Sequence, residues 1–374
     1  MGGPPSSGGR RAGLDALRGL AVLLMIEQHL GVWLWRGPDP GRGIADYPGL
    51  LVFNALGGGA APLFVTLAGI GASLMIEKRR ARGQAVDGTL VRRGLVLLLF
   101  GLLLNLATPS WFTWRSWFVL HLMGFGLVSA PLWRRMSGRG LLIAAALVLL
   151  ATPAIQLALG TPARLDNPRM AGILTETVDG GLRYLPWAPL RIAVAEGQFP
   201  IFPWIIFFLF GLWSGRCIAA DDERAPLRLG LVCLAIGGGL ALVGLFAHPA
   251  SGTYLRRLTT LPVPFFPASP AIILLLAGGV LSATGLVVWR ETKRPWSPIG
   301  WMPTLGRASL SLLWVHVYAF RELSRPIGLW QSLDATDAGL VLVGFTLACF
   351  LVAKAWSRID FRFGAEWMLR KLAP

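Results

Sequence analysis

Ten apolar runs of bilayer-spanning length recur along this chain, at about 17–36, 61–77, 91–108, 116–133, 139–157, 199–215, 229–247, 269–289, 303–321 and 337–356. A helix rises about 1.5 Å per residue, so roughly 20 apolar residues cross a hydrocarbon core of about 30 Å. Inside that core every backbone group must bond within its own segment, which makes helices the only economical form for such runs. The composition agrees: 54% of the 374 residues are hydrophobic, 14% are charged, and mean hydropathy is +0.60, a balance foreign to soluble domains. The expected fold is an all-α polytopic membrane protein of about ten transmembrane helices. A single transmembrane domain over 17–357 would lie between a polar N-terminal tail, 1–16, and a C-terminal tail, 358–374. A Gly-rich apolar piece at 47–60 leaves room for an eleventh span or a re-entrant segment.

Charge sets the expected orientation. Lys and Arg total 35 against 19 acidic residues, for a net +16. In a soluble chain that excess would suggest nucleic acid; here the cations sit at helix ends, where topology and anionic lipid explain them, and no nucleic-acid partner is expected. Alternating spans place 24 of the 35 cations on the side of the N-terminus, so both termini are expected in the cytoplasm. Tryptophans agree, with Trp33, Trp35, Trp111, Trp114, Trp117 and Trp330 at outer ends and Trp133, Trp213, Trp289, Trp296, Trp301 and Trp356 at inner ends. The preference for Arg over Lys, with the Gly, Ala and Pro usage, suggests a bacterial inner membrane. The opening residues read as a polar tail rather than a cleavable signal. Two outer loops are long, about 158–198 and 248–268, and the first has a composition that suits a sugar or other polar acceptor. The three cysteines are scattered without CxxC spacing and read as small apolar fillers.

Against this apolar background a few polar residues stand out. Arg18 and His29 are eleven residues apart in LDALRGLAVLLMIEQHLGVWLW. Eleven steps of about 100° bring them to within about 20° of one face, with roughly 16 Å between them along the axis. Ionisable groups inside a span usually face a cavity or a partner. Asp15 falls near the same face and is three residues from Arg18, close enough to pair as an anchoring ion pair. Glu27 lies off the face of His29, where a deep carboxylate serves to carry a proton or to order a polar network. His316 is expected at a depth similar to His29, and His121 nearer the outer surface. Asn105 reads as an interhelical hydrogen bond, and for His121 and His316 the same plain reading carries more weight than a chemical one. There is no nucleotide-binding glycine motif, no GxSxG and no metal-ligand cluster. The chemistry on offer is a histidine acting as general base or nucleophile without a metal.

The R-x10-H spacing in LDALRGLAVLLMIEQH resembles the membrane acyltransferase superfamily, including acyltransferase family three. More of the chain resembles the heparan-alpha-glucosaminide N-acetyltransferase family and its bacterial relatives. The segments that carry this are APLFVTLAGIGASLMI, LVRRGLVLLLFGLLLNL, FVLHLMGFGLV, FPIFPWIIFFLFGLWSGR and LGRASLSLLWVHVY, in the order the family shows. The resemblance implies transfer of an acetyl group from cytoplasmic acetyl-CoA to an amino sugar or envelope glycan across the membrane. It puts the family's catalytic histidine on His29, its arginine on Arg18 and a second histidine on His316. Catalysis is thus expected from His29, Glu27 and His316. Donor binding is expected from Arg18, Asp15, Arg92 and Arg93: the three guanidinium forks suit pyrophosphate, and Asp15 pairs with Arg18. Acceptor binding is expected from His121, Asn105 and Arg115, and one polar channel should link Arg18 to His29. The expected partners are the acyl-CoA donor, a carbohydrate acceptor and membrane lipids, with a homodimer left open. The competing reading is a proton-coupled transporter or flippase for a polar lipid or small solute. The chain shows none of the internal repeats common in transporters.

Overall fold

The computed structural model describes residues 11–165, 169, 171–178, 181–185, 187–261 and 266–374. The polar tail expected at 1–16 lies mostly outside the described residues, and helix α1 (Ala12–Trp33) begins five residues before the expected boundary. The chain continues through α2 (Pro48–Gly57), α3 (Ala60–Arg80), α4 (Asp87–Ala107), α5 (Val119–Trp133) and α6 (Gly138–Ala158). The second half holds α7 (Ile201–Ala219), α8 (Ala225–Ala247), α9 (Pro270–Lys293), α10 (Trp301–Arg307), α11 (Ser309–Val317), α12 (Ala335–Ser357) and α13 (Ala365–Leu372). The long loop after α6 carries an antiparallel hairpin, β1 (Thr175–Val178) with β2 (Gly181–Tyr184).

Each of the ten apolar runs falls on helix, and seven of those helices are long and apolar enough to cross a membrane. The other three depart for visible reasons. Helix α1 carries Asp15, Arg18 and Glu27. Helix α5 has 15 residues. The ninth run is broken into α10 and α11 at Ala308 and then widens into a π-helical turn, Tyr318–Leu323. The Gly-rich piece at 47–60 forms α2, whose ten residues are too short to span.

Helix starts follow ordinary capping chemistry. Ser137 caps α6, Ser269 caps α9 ahead of Pro270, and Asp334 caps α12, each accepting a hydrogen bond from a first-turn amide. Helix α7 is the most enclosed, with Trp204, Phe207 and Phe208 fully buried. It packs on α3, where the close approach is made at Gly69 and Gly211. A Cβ on Gly69 would meet the Phe208 carbonyl, and one on Gly211 the Thr66 carbonyl. In lipid, such small residues let helix backbones touch and gain dispersion contact. At the rim, α12 turns Leu340, Val343, Leu347 and Leu351 outward at helical spacing, a stripe made for acyl chains.

The loops tie the two ends of the bundle. At the cation-rich end, Arg134 pairs with Asp87, and Arg216 donates to the carbonyls of Arg134 and Met136. At the opposite end, Arg36 N–H donates to the Leu333 carbonyl, and Trp117 donates to the Phe199 carbonyl. The Asp39 carboxyl, beyond α1, is held below the usual carboxylate range, first by the Tyr47 hydroxyl and then by Arg36.

Candidate active site

The first and the ninth runs meet. Helix α1 packs on α10 at Gly19 and Gly306: a Cβ on Gly19 would fall on the Met302 carbonyl, and one on Gly306 on the Asp15 carbonyl. This backbone-to-backbone contact sets the depth of α1 against the segment leading into α11. The result is a bond across 287 residues of sequence: His29 Nδ1 lies 2.7 Å from His316 Nε2.

The protonation of this pair can be argued from its partners. His316 Nδ1 is 2.8 Å from the Leu312 carbonyl, which can only accept, so that nitrogen carries a hydrogen. In neutral His316 the Nε2 is then the acceptor, and His29 Nδ1 must be the donor. That leaves the lone pair of neutral His29 on Nε2, which has no hydrogen-bond partner among the described residues. His316 is fully buried, whereas His29 is half-buried.

Aromatic rings hold His29 in this orientation. Trp33, one helical turn on, stacks parallel to it at 4.3 Å, and Trp111 meets it edge-on at 5.5 Å. Above Trp33 lies a polar lip at the end of the bundle away from the cations. Arg321 sits over the rings of Trp33 and Trp330 and donates to the carbonyl and hydroxyl of Ser110. Glu322 accepts from the amide and hydroxyl of the same serine. Both charged residues come from the π-helical turn that follows α11, a device often found at functional sites.

Both histidine-bearing helices are seated on borrowed carboxylates. Glu291, on α9, accepts from the Gly13 amide at 2.8 Å and caps α1, whose own N-cap residue is Arg11. Glu366, on α13, accepts from the amides of Leu310 at 2.6 Å and Ser311 at 3.1 Å, closing the break before α11. Free helix N-termini need such acceptors, and the negative charge suits the helix dipole.

The other expected residues spread over the molecule. Arg18 pairs with Asp15 at 2.6 Å and lies beside Gly71 of α3, so it faces a different neighbour from His29. Two clefts, each of about 300 Å³, open at the cation-rich end, around Trp213, Cys217 and Asp222 and around Asp221, Arg224 and Lys293. Neither reaches Arg18 or His29, so the continuous passage expected between them is not one of these clefts. Arg92 is exposed, while Arg93 is engaged with the Ala373 carbonyl and Met75 sulfur. Glu27 points at Gly57 of α2, with Oε2 buried and without a hydrogen-bond partner. His121 caps its own helix, its Nδ1 accepting from the Phe118 amide at 3.3 Å. Asn105 donates to the Ser116 carbonyl at 2.9 Å and ties α4 to the loop before α5. Arg115 lies over Trp114 on that loop. No described contact joins Glu27, His121, Asn105 or Arg115 to the histidine pair.

Sequence reasoning passed over Ser110, Arg321 and Glu322 and read Trp111 only as a membrane-belt residue. The spacing of Trp33 four residues after His29 was the one local signal for the aromatic wall, and it reads equally as a membrane-belt residue. A family model described as "Heparan-alpha-glucosaminide N-acetyltransferase, catalytic" matches residues 10–245, well over half of the chain. Arg18 and His29 lie inside the matched stretch and His316 beyond it. No curated protein matches the chain.

Proposed function

Because this chain belongs to the heparan-alpha-glucosaminide N-acetyltransferase catalytic family, we propose that it moves an acetyl group from cytoplasmic acetyl-CoA to an amino sugar or envelope glycan on the far side of the membrane. The observation that carries this reading is the His29–His316 pair, which leaves the lone pair of neutral His29 on an Nε2 with no hydrogen-bond partner among the described residues. As the acceptor nitrogen or oxygen attacks the thioester carbonyl, His29 Nε2 takes its proton. A new N–C or O–C bond forms, the C–S bond breaks, and the sulfur leaves as the free thiol once the proton is passed to it. The charge that develops on His29 is stabilised through its Nδ1–H bond to His316, the role of an orienting partner in a base dyad. Trp33 and Trp111 keep water from the thioester. The lip of Arg321, Glu322 and Trp330 offers the mix of stacking faces and hydrogen bonds that a sugar needs. On the donor side, Arg92 and the open nitrogen of Arg18 suit pyrophosphate oxygens, while Arg93 would have to leave the Ala373 carbonyl first.

The test is transfer across a sealed proteoliposome, with labelled acetyl-CoA on one side and glucosamine on the other. Labelled N-acetylglucosamine on the acceptor side is the expected product. Proton-driven uptake of solute without any need for acetyl-CoA would overturn the reading in favour of transport. Within that assay, His316→Ala leaves the Nδ1–H of His29 without its acceptor. We expect kcat to fall on the order of a hundredfold, with KM for acetyl-CoA nearly unchanged. An unchanged kcat would reduce His316 to a packing residue.

A further inference from the structure

The segment after α12, read from sequence as a C-terminal tail, ends in α13, one side of which enters the bundle. Glu366, Ala365 and Leu369 face inward, and Ala373 is buried with its carbonyl on Arg93. The other side is open. Phe363 is 77% exposed, Leu372 54%, Ile359 51% and Met368 42%, with Arg358, Arg362, Arg370 and Lys371 exposed among them. The turn before the helix holds Asp360, Phe361 and Phe363 at positive φ, a region that non-glycine residues enter only under constraint. This strained turn buries Phe361 under the Arg307 guanidinium while swinging Phe363 outward against Trp367.

From this geometry we infer that the outer side of α13 and its turn is a binding surface for anionic phospholipid, and that lipid bound there steadies the helix bearing His316. The occupant follows from the chemistry of the surface. Four exposed cations are interspersed along the segment with four exposed large apolar side chains, at the cation-rich end of a bundle whose flanks face lipid, so phosphate heads and acyl chains are both satisfied there. The coupling runs through one carboxylate. Glu366 accepts from the amides of Leu310 and Ser311 and, at 2.6 Å, from the Ser311 hydroxyl; the Ala365 amide donates to that hydroxyl in turn. Holding α13 on the membrane therefore holds the first turn of α11, five residues before His316. Glu366 is a positioning residue in this scheme.

The lipid surface stands on structure alone; only its effect on turnover rests on the proposed acetyl transfer. The experiment is hydrogen exchange of the full chain in nanodiscs of phosphatidylcholine alone and with three parts in ten of phosphatidylglycerol. In the anionic discs, amides of 365–372 and of 309–313 should exchange several-fold more slowly. The triple substitution Arg362→Gln, Arg370→Gln, Lys371→Gln should erase the difference, since each cation near an anionic surface contributes roughly a fivefold preference. Glu366→Gln should keep the response at 365–372 and lose it at 309–313. Equal exchange in the two discs for the unaltered chain, or a triple variant that still responds, overturns the proposal. His29→Ala should respond to lipid as the unaltered chain does, so a failure of the enzymatic reading leaves this outcome readable. In active protein, kcat should rise with phosphatidylglycerol, and only when the three cations are present.

Discussion

Replacing His29 by Ala should lower kcat for acetyl transfer by about 10²- to 10⁴-fold, the usual share of a positioned general base. The bundle should still fold. His29 is half-buried, and its loss costs one hydrogen bond and its stacking on Trp33. The orphaned acceptor is His316 Nε2, and leaving a buried acceptor unmet costs about 1–3 kcal/mol. His29→Gln sharpens the test. The glutamine amide can still donate toward His316 but has no basic lone pair, so it should restore thermal stability and leave transfer at the alanine level. Retained turnover in either variant would remove His29 from the chemistry. The same open nitrogen would become acetylated if His29 acted as a transient acyl carrier. Incubation with labelled acetyl-CoA and no acceptor separates the two routes: label that stays on the protein, and is absent from His29→Ala, marks the carrier; unlabelled protein marks the base.

Gly306→Leu is expected to be the most damaging single change outside the chemistry. The position lies where α10 crosses α1, and even a Cβ there would fall on the Asp15 carbonyl oxygen, with the Gly19 amide also in the way. Both obstacles are backbone, which cannot rotate aside as a side chain would. Overpacking typically costs about 1–3 kcal/mol, and a clash with backbone belongs at or above the top of that range. It should appear as loss of the monodisperse folded species and a fall of many degrees in thermal midpoint. The contrast is Gly344→Ala on α12, which meets nothing within 4 Å and should be neutral or slightly stabilising, as alanine is the better helix former. If Gly306→Leu matched Gly344→Ala in stability, the crossing described here would be wrong.

How much of this was legible in the sequence follows the physics of each signal. Hydrophobic runs must become helices in lipid, so all ten positions could be read directly. Polar side chains inside such runs are costly, so His29 and His316 stood out, and an imidazole from each did meet at one depth. The partners of the other polar residues were not legible, because rotation about a helix axis does not say which neighbour stands opposite. Arg18 and His29 were read as one face, yet α3 lies beside the first and α11 beside the second. Glu27 turned to α2 and Asn105 to a loop carbonyl, contacts set by tertiary packing alone. The C-terminal helix was missed because its apolar side chains are too few and too interspersed with charge to resemble a span. Its amphipathic pattern makes sense only at an interface. The break at Ala308 has no proline or glycine at that position to announce it; it is maintained by a carboxylate from far along the chain.

The separation of the two imidazoles along the chain has a bearing on biosynthesis. The ribosome delivers α1 at the outset, and its imidazole must wait for the ninth segment, 287 residues later, before it has a mate. Translocon-bound or prematurely terminated nascent chains would hold half a dyad, so on the proposed chemistry turnover would begin only once the last third of the protein has been threaded into the bilayer.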